Sequence, residues 1–254
     1  MGGALVGASA ATRPDQPVEA DVDVPAILRD RDVRLAYQPI VQLSTDDVVA
    51  VEALARFPYS GSPRKVFDAA QELGLTAELE AVILRRALYE RLRVPTGLLL
   101  TVNVTPANLL DGPVSELLID ADVRSIVLEL TEHTVPPEPG TLGPVLDGLR
   151  DRGALIALDD TGAGYQGLQQ VAALRPDWVK VDRAVVTDAS GDEVRRASLQ
   201  MFSRVARRVG AVTVAEGVES AADLEVLNEV GIELAQGFYL GTPTAHPRLR
   251  QTER

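Results

Sequence analysis

Eight polar residues interrupt or close apolar runs in this sequence: Glu52, Asn103, Glu129, Asp159, Asp160, Lys180, Glu216 and Gln236. Five are carboxylates, two are amides and one is a lysine. Gathered in one confined place without compensation, that much negative charge would be costly to bury or would drive carboxyl pKa values upward. Hard divalent cations remove the conflict, because carboxylate and amide oxygens without sulfur or imidazole are the ligand set of Mg²⁺, Mn²⁺ or Ca²⁺. One such ion takes about six oxygens, so there are enough here for two. Two ions about 3.5–4 Å apart are suited to in-line displacement at phosphorus. The stretch "ALIALDDTGAGY" (154–165) poses the question most sharply, since an apolar run ends in two adjacent aspartates. With two cations present, one carboxylate of that pair can bridge them. Each residue taken alone has a plainer reading. A strand-end glutamate caps a helix or pairs with a surface arginine, "DD" before glycines is an N-cap, and a lysine makes a barrel salt bridge. It is the joint pattern across seven strands that favours a metal site.

Composition excludes several other chemistries. The chain of 254 residues contains no cysteine, so disulfides, thiolate metal sites and cysteine nucleophiles are ruled out. Its two histidines, His133 and His246, read as solvated loop residues and leave no basis for an imidazole-rich zinc site. The formal net charge of −12 argues against a DNA or RNA polymer as partner and against a basic membrane patch. No apolar run approaches the roughly 18 residues of a membrane helix, and a cytoplasmic location is the default expectation. With 46% hydrophobic and only 4% aromatic residues, the core must be built from Leu, Val, Ile and Ala. Residues 1–24 read as a disordered lead-in, 25–248 as one domain and 249–254 as a tail.

The elements that must position these residues follow from eight strand-like runs: 33–41, 48–56, 97–104, 125–131, 154–160, 177–182, 211–218 and 232–240. Most are continuously apolar, the pattern of strands covered on both faces. Helical patterns lie between them. Residues 78–92 follow Thr76 as a cap, 193–209 carry Leu199, Phe202, Ala206 and Val209 on one face, and 219–231 end at Gly231. Strands alternating with helices predict an α/β fold, a (β/α)8 TIM barrel. The first two runs are joined by the short turn "STDD", so they predict a hairpin and a modified barrel with one antiparallel strand near the start. Side chains alternate along a strand, so Glu52 should share a face with Val48 and Ala50, Glu129 with Val127, Asp159 with Leu155 and Ala157, and Lys180 with Trp178. Active sites of such barrels lie at the C-terminal ends of the strands.

The runs "AYQPIV", "EALAR", "VNVT", "ELTE", "DDTGAGY", "VKVD", "AEGVE" and "QGFYLGTP" occur in the order and spacing that resemble the EAL-domain cyclic di-GMP phosphodiesterases, from about residue 33 to 243. The resemblance implies hydrolysis of cyclic di-GMP to linear pGpG with two Mg²⁺ or Mn²⁺ ions, and a homodimer; Ca²⁺ should inhibit, because it prefers longer and looser coordination. It implies metal ligation by Glu52, Asn103, Glu129, Asp159, Asp160 and Glu216, with Asp159 bridging and Asp160 on the second ion. Lys180 would contact the attacking water and Glu216 would serve as general base, with Glu52 the third member of the catalytic set. Gln38, Arg56, Gln236 and Pro243 would contact the substrate, and Glu132 would anchor the loop after Asp160. That loop departs from the family's "DDFGTGYSSL": Thr161 replaces Phe, Ala163 replaces Thr, and Gln166 and Gly167 replace two serines. The segment after "EALAR" is also shorter. Two other readings compete: a nonhydrolytic cyclic di-GMP receptor or scaffold, whose members usually lose metal ligands that this chain keeps, and an enolase-type metal barrel, which leaves the ordered motifs unexplained.

Overall fold

A computed structural model of the chain describes residues 22–57, 62–131, 141–161 and 165–247. Eight strands close into a barrel in sequence order: β1 Arg34–Gln42, β2 Val48–Arg56, β3 Leu99–Val104, β4 Ile126–Thr131, β5 Leu155–Thr161, β6 Trp178–Val181, β7 Val212–Ala215 and β8 Leu234–Ala235. Strand β1 runs antiparallel to both of its neighbours, β2 and β8, and every other pair is parallel. The modified barrel expected from the sequence is thus the observed one, with β1 as the reversed strand. The hairpin turn is made by Asp46, which adopts a positive φ of 60° that an aspartate tolerates, and its N–H donates to Gln42 O at 2.9 Å.

The described helices are α1 Val24–Asp30, α2 Pro63–Glu72, α3 Thr76–Glu90, α4 Pro113–Asp120, α5 Leu142–Asp151, α6 Tyr165–Leu174, α7 Arg183–Val186, α8 Glu193–Val209 and α9 Ala221–Val230. Helix α8 has the bounds its periodicity predicts. Asp192 caps its first turn, accepting from Val194 N at 2.8 Å and Arg195 N at 3.2 Å, and Gly210 ends it in the left-handed conformation. Its buried face of Leu199, Phe202 and Ala206 packs on the barrel wall; burying a side chain such as Phe202 is worth roughly 1.5–3 kcal/mol. Packing begins earlier than the expected domain start. Asp23 caps α1, accepting from Ala26 N at 2.9 Å, and Val24 is fully buried.

The core has two parts. The larger fills the space between the barrel wall and the helices. The smaller lies inside the barrel and consists of Ile40, Ala50, Val127, Ala157, Trp178, Val214 and Leu234. Both are apolar, and the inner one closes the bottom of the barrel.

Three expectations of detail fail. Helix α3 begins at Thr76 itself, with Leu75 at the N-cap position and no side-chain cap, so Thr76 is not the cap. Val48 does not share a face with Glu52: the register against β1 slips after Ile40, opposite Val49, so Val48 joins the outer core while Val49 packs on the inner one. The last two strands are also shorter than their apolar runs. They stop at Ala215 and Ala235 because Gly217 and Gly237 follow. Gly217 takes a φ of 67° with the Arg183 side chain where a Cβ would stand, and a Cβ on Gly237 would collide with the Val218 backbone.

Candidate active site

The inner floor determines what stands above it. Side chains alternate, so the residue two positions nearer the mouth on each strand also points inward. Those residues are Gln38 above Ile40 on the reversed strand, then Glu52 above Ala50, Glu129 above Val127, Asp159 above Ala157, Lys180 above Trp178, Glu216 above Val214 and Gln236 above Leu234. On β3 the positions are held by Thr101 and, one step higher, Asn103. Six of the eight residues singled out by type and spacing stand in one layer. Glu52 lies mid-strand rather than at a strand end, because β2 continues to Arg56 opposite Arg34.

Lys180 occupies the centre. Its ammonium lies 2.8 Å from Glu129 Oε2, 3.0 Å from Asp159 Oδ1 and 2.6 Å from Glu216 Oε1. Its side chain is 1% exposed, and that of Glu129 is fully buried. Burial by itself pulls the lysine pKa down, yet Glu129, Glu52, Asp159 and Glu216 together hold it well above the usual lysine value, so the ammonium stays charged. Burial pushes the Glu129 carboxyl well up; Lys180 opposes the shift, and Glu52 and Asp159 add to it. Burial likewise raises Glu216 to about 8, with Lys180 again opposing and Asp159 and Glu52 reinforcing. One ammonium does not offset four ionised carboxylates, so Glu129 and Glu216 are pushed toward protonation, and a bound cation would favour their ionised forms.

A second network holds Glu52. Asn103 Nδ2 donates to Glu52 Oε1 at 3.0 Å, and Gln236 Nε2 donates to Glu52 Oε2 at 2.6 Å and to Gln38 Oε1 at 3.1 Å. Gln38 Nε2 in turn donates to Gly241 O at 3.1 Å, which ties the reversed strand to the segment after β8. The register of β5 against β6 slips between Leu158 and Thr161, which places both Asp159 and Asp160 at a bulge beside Lys180. The backbone of Asp160 belongs to β5, while its side chain lies outside the described residues, as does Glu132 with the whole of 132–140.

The donor set fits divalent cations. Three buried acceptor oxygens at this level, Glu129 Oε1, Asp159 Oδ1 and Gln236 Oε1, receive no hydrogen bond. Asp159 Oδ1 meets the ammonium as an ion pair at 3.0 Å and accepts no hydrogen bond. Every ligating atom available is a hard oxygen. Among the described residues no three carboxylates converge on a ready-made metal position, because the ammonium stands where three of them meet.

The mouth opens as a cavity of about 200 Å³ lined by Gln38, Glu52, Asp159, Glu216 and Gln236. Its rim carries three residues that the sequence did not single out: the exposed ring of Phe238, and Arg183 paired with Glu219 at 2.7 Å. Arg183 directly follows "VKVD", while Glu219 and Phe238 lie inside "AEGVE" and "QGFYLGTP", which was the only signal available. Arg56 and Asn103 line a neighbouring cavity of about 540 Å³ between β2, β3, α2 and α3. Arg56 Nη1 donates to Ala55 O at 2.9 Å, so its guanidinium folds back on its own strand instead of entering the mouth. Pro243 is half-buried beside the β1 edge, where Thr244 pairs with Tyr37. A latch also went unread: Glu80 on α3, buried, accepts from Thr105 N at 3.1 Å, from Thr105 Oγ1 and from Asn108 Nδ2 at 2.7 Å, pinning the loop that follows Asn103. No helix among the described residues is long and apolar enough to cross a membrane.

The family model described as EAL domain matches residues 22–243. The chain is 31% identical over 222 residues to an uncharacterized protein, y4lL, of Sinorhizobium fredii, covering 84% of this chain and 27% of that one. It is 31% identical over 247 residues to the cyclic di-GMP phosphodiesterase NbdA of Pseudomonas aeruginosa, covering 91% of this chain and 31% of that one. The chain therefore spans about a third of the length of these curated relatives. Among solved structures, BlrP1 of Klebsiella pneumoniae in a calcium and cyclic di-GMP complex superposes with a TM-score of 0.76 at 31% identity, over 87% of this chain and 58% of that one.

Proposed function

Because this chain belongs to the EAL-domain family, we propose that it hydrolyses cyclic di-GMP to linear pGpG and so lowers the level of that second messenger. The observation that carries the reading is the layer of four carboxylates around Lys180, with its buried acceptor oxygens left open. The relatives named as cyclic di-GMP phosphodiesterases point the same way. Glu52, Asn103, Glu129, Asp159, Asp160 and Glu216 would hold two divalent cations, Mg²⁺ or Mn²⁺, which supply Lewis acidity toward the phosphate oxygens and acidify the attacking water. Ca²⁺, which prefers looser and longer coordination, should inhibit.

The chain's own groups do the rest. Lys180, held charged by Glu129, Asp159 and Glu216, donates a hydrogen bond to the attacking water and offsets the charge that grows on the phosphoryl oxygens. Glu216, ionised once cations offset the crowding around it, takes the proton from that water. The water oxygen bonds to phosphorus, the bond from phosphorus to the 3′ oxygen breaks in line, and the leaving oxygen gains a proton. Gln236 and Asn103 orient the Glu52 carboxylate through the bonds they donate. Arg56 binds a phosphate once its guanidinium swings off Ala55 O, and Gln38 and Pro243 border the substrate. Glu132 anchors the loop after Asp160, and we place that loop at a homodimer interface. The setting we infer is the cytoplasm.

The test is incubation of the chain with cyclic di-GMP and Mg²⁺ or Mn²⁺, followed by separation of the nucleotides. Appearance of pGpG that chelator abolishes is the expected result. Binding without turnover in saturating metal would replace the enzyme reading with that of a receptor.

A further inference from the structure

The outer wall of the barrel carries a third cavity, which the catalytic layer does not use. It measures about 310 Å³ and is lined by Arg34, Arg86, Arg93 and His246 over a floor that includes Tyr37 and Glu90. Strand β1 separates it from the mouth: Tyr37 belongs to the outer core, while its neighbour Gln38 faces in.

The floor is built rather than incidental. Tyr37 and Glu90 are 2% and 7% exposed. Tyr37 Oη donates to Glu90 Oε2 at 2.5 Å, and Arg86 Nε donates to Glu90 Oε1. Both oxygens of the one carboxylate are thereby used, and what they hold in place is a single guanidinium. Two more guanidiniums share the cavity. Among the described residues Arg34 has no acidic partner, and the contact of Arg93 is with the ring of Tyr89 at 5.8 Å. The chain has 37 acidic residues against 25 basic ones, so carboxylates are plentiful on its surface. Yet three arginines are clustered here with one carboxylate between them. Like charges that close repel, and an anion seated among them removes the repulsion. Guanidinium forks match the oxygens of phosphate groups two at a time, and the volume suits a small ligand.

We propose that this cavity is a second anion site, separate from the mouth, for a small molecule bearing a phosphate or diphosphate group. Arg86, oriented by Glu90, is its fixed element; Arg34 and Arg93 close on the ligand from either side. The proposal stands independently of the hydrolytic reading, since none of its residues belongs to the catalytic layer.

The probe is pyrophosphate, titrated calorimetrically into the metal-free chain in the presence of chelator, so that the mouth cannot hold it through cations. Saturable one-to-one binding is expected, weakening as salt is raised. The double variant Arg34→Gln, Arg93→Gln alters two exposed side chains and should fold as the wild type does, which its melting curve checks. Its affinity should fall at least tenfold. Glu52→Gln, which alters the mouth, should bind pyrophosphate as the wild type does. Absence of saturable heat in the wild type, equal affinity in the folded double variant, or loss of binding in Glu52→Gln would each overturn the assignment.

Discussion

Lys180 Nζ lies 2.8 Å from Glu129 Oε2 with neither side chain reaching solvent, at the centre of the barrel and directly above Trp178. Removing the ammonium leaves Glu129, Asp159 and Glu216 facing each other in a low-dielectric layer. Breaking one side of a buried charge pair typically costs about 3–5 kcal/mol. Lys180→Met should therefore melt well below the wild type when metal-free and should not hydrolyse cyclic di-GMP. Saturating Mg²⁺ should recover more melting temperature in the variant than in the wild type, because the cation replaces a missing charge. Melting curves with and without metal check this; an unchanged metal-free midpoint would contradict it.

Gln236 acts on Glu52 from one side and Asn103 from the other. Gln236→Ala keeps the carboxylate but frees it to rotate. Losing a partner of this kind usually lowers metal affinity or activity by roughly 10–100-fold. The expected pattern is a lower kcat together with a higher Mn²⁺ requirement, measured by titrating metal at fixed substrate. Glu52→Ala should go further, abolishing turnover while the circular dichroism spectrum stays that of a folded barrel.

Metal itself should stabilise the chain. A ligand that binds only the folded state at 100 times its Kd adds about 2.7 kcal/mol. Mn²⁺ or Mg²⁺ should raise the melting temperature, and chelator should reverse the rise and stop turnover. Turnover undiminished in excess chelator would exclude the metal-dependent reading. Ca²⁺ should raise the melting temperature while failing to support hydrolysis.

Glu80 takes three hydrogen bonds from the loop after β3 while making no contact with the mouth. Glu80→Ala strands Thr105 N–H, the Thr105 hydroxyl and the Asn108 amide, each a donor whose burial without a partner costs about 1–3 kcal/mol. The variant should lose stability by that order, and turnover should fall because Asn103 lies two residues before Thr105 at the start of the released loop. Glu80→Gln keeps an acceptor and should recover most of the stability. Equal losses in the two variants would show that the carboxylate charge, and not the latch, is what matters.

The barrel was legible because its evidence is local. Apolar runs of strand length alternate with helical patterns, and a four-residue turn between the first two runs can only join antiparallel neighbours. The membership of the inner layer was legible for the same reason, since period-two alternation ties Glu129 to Val127 and Lys180 to Trp178 whatever the rest of the chain does. What the sequence could not decide was anything that depends on contact between distant strands. The slip opposite Val49, which turns Val48 outward, and the slip at Asp159–Asp160 arise from how each strand matches its neighbour's register. The latch from Glu80 to Thr105, the return of Arg56 onto Ala55, and the placing of Arg34 beside Arg86 and Arg93 likewise join residues by packing rather than by spacing. Residue types and their periods determined which chemistry this protein could host; barrel closure, which brings eight strands to one axis, decided which of those residues touch.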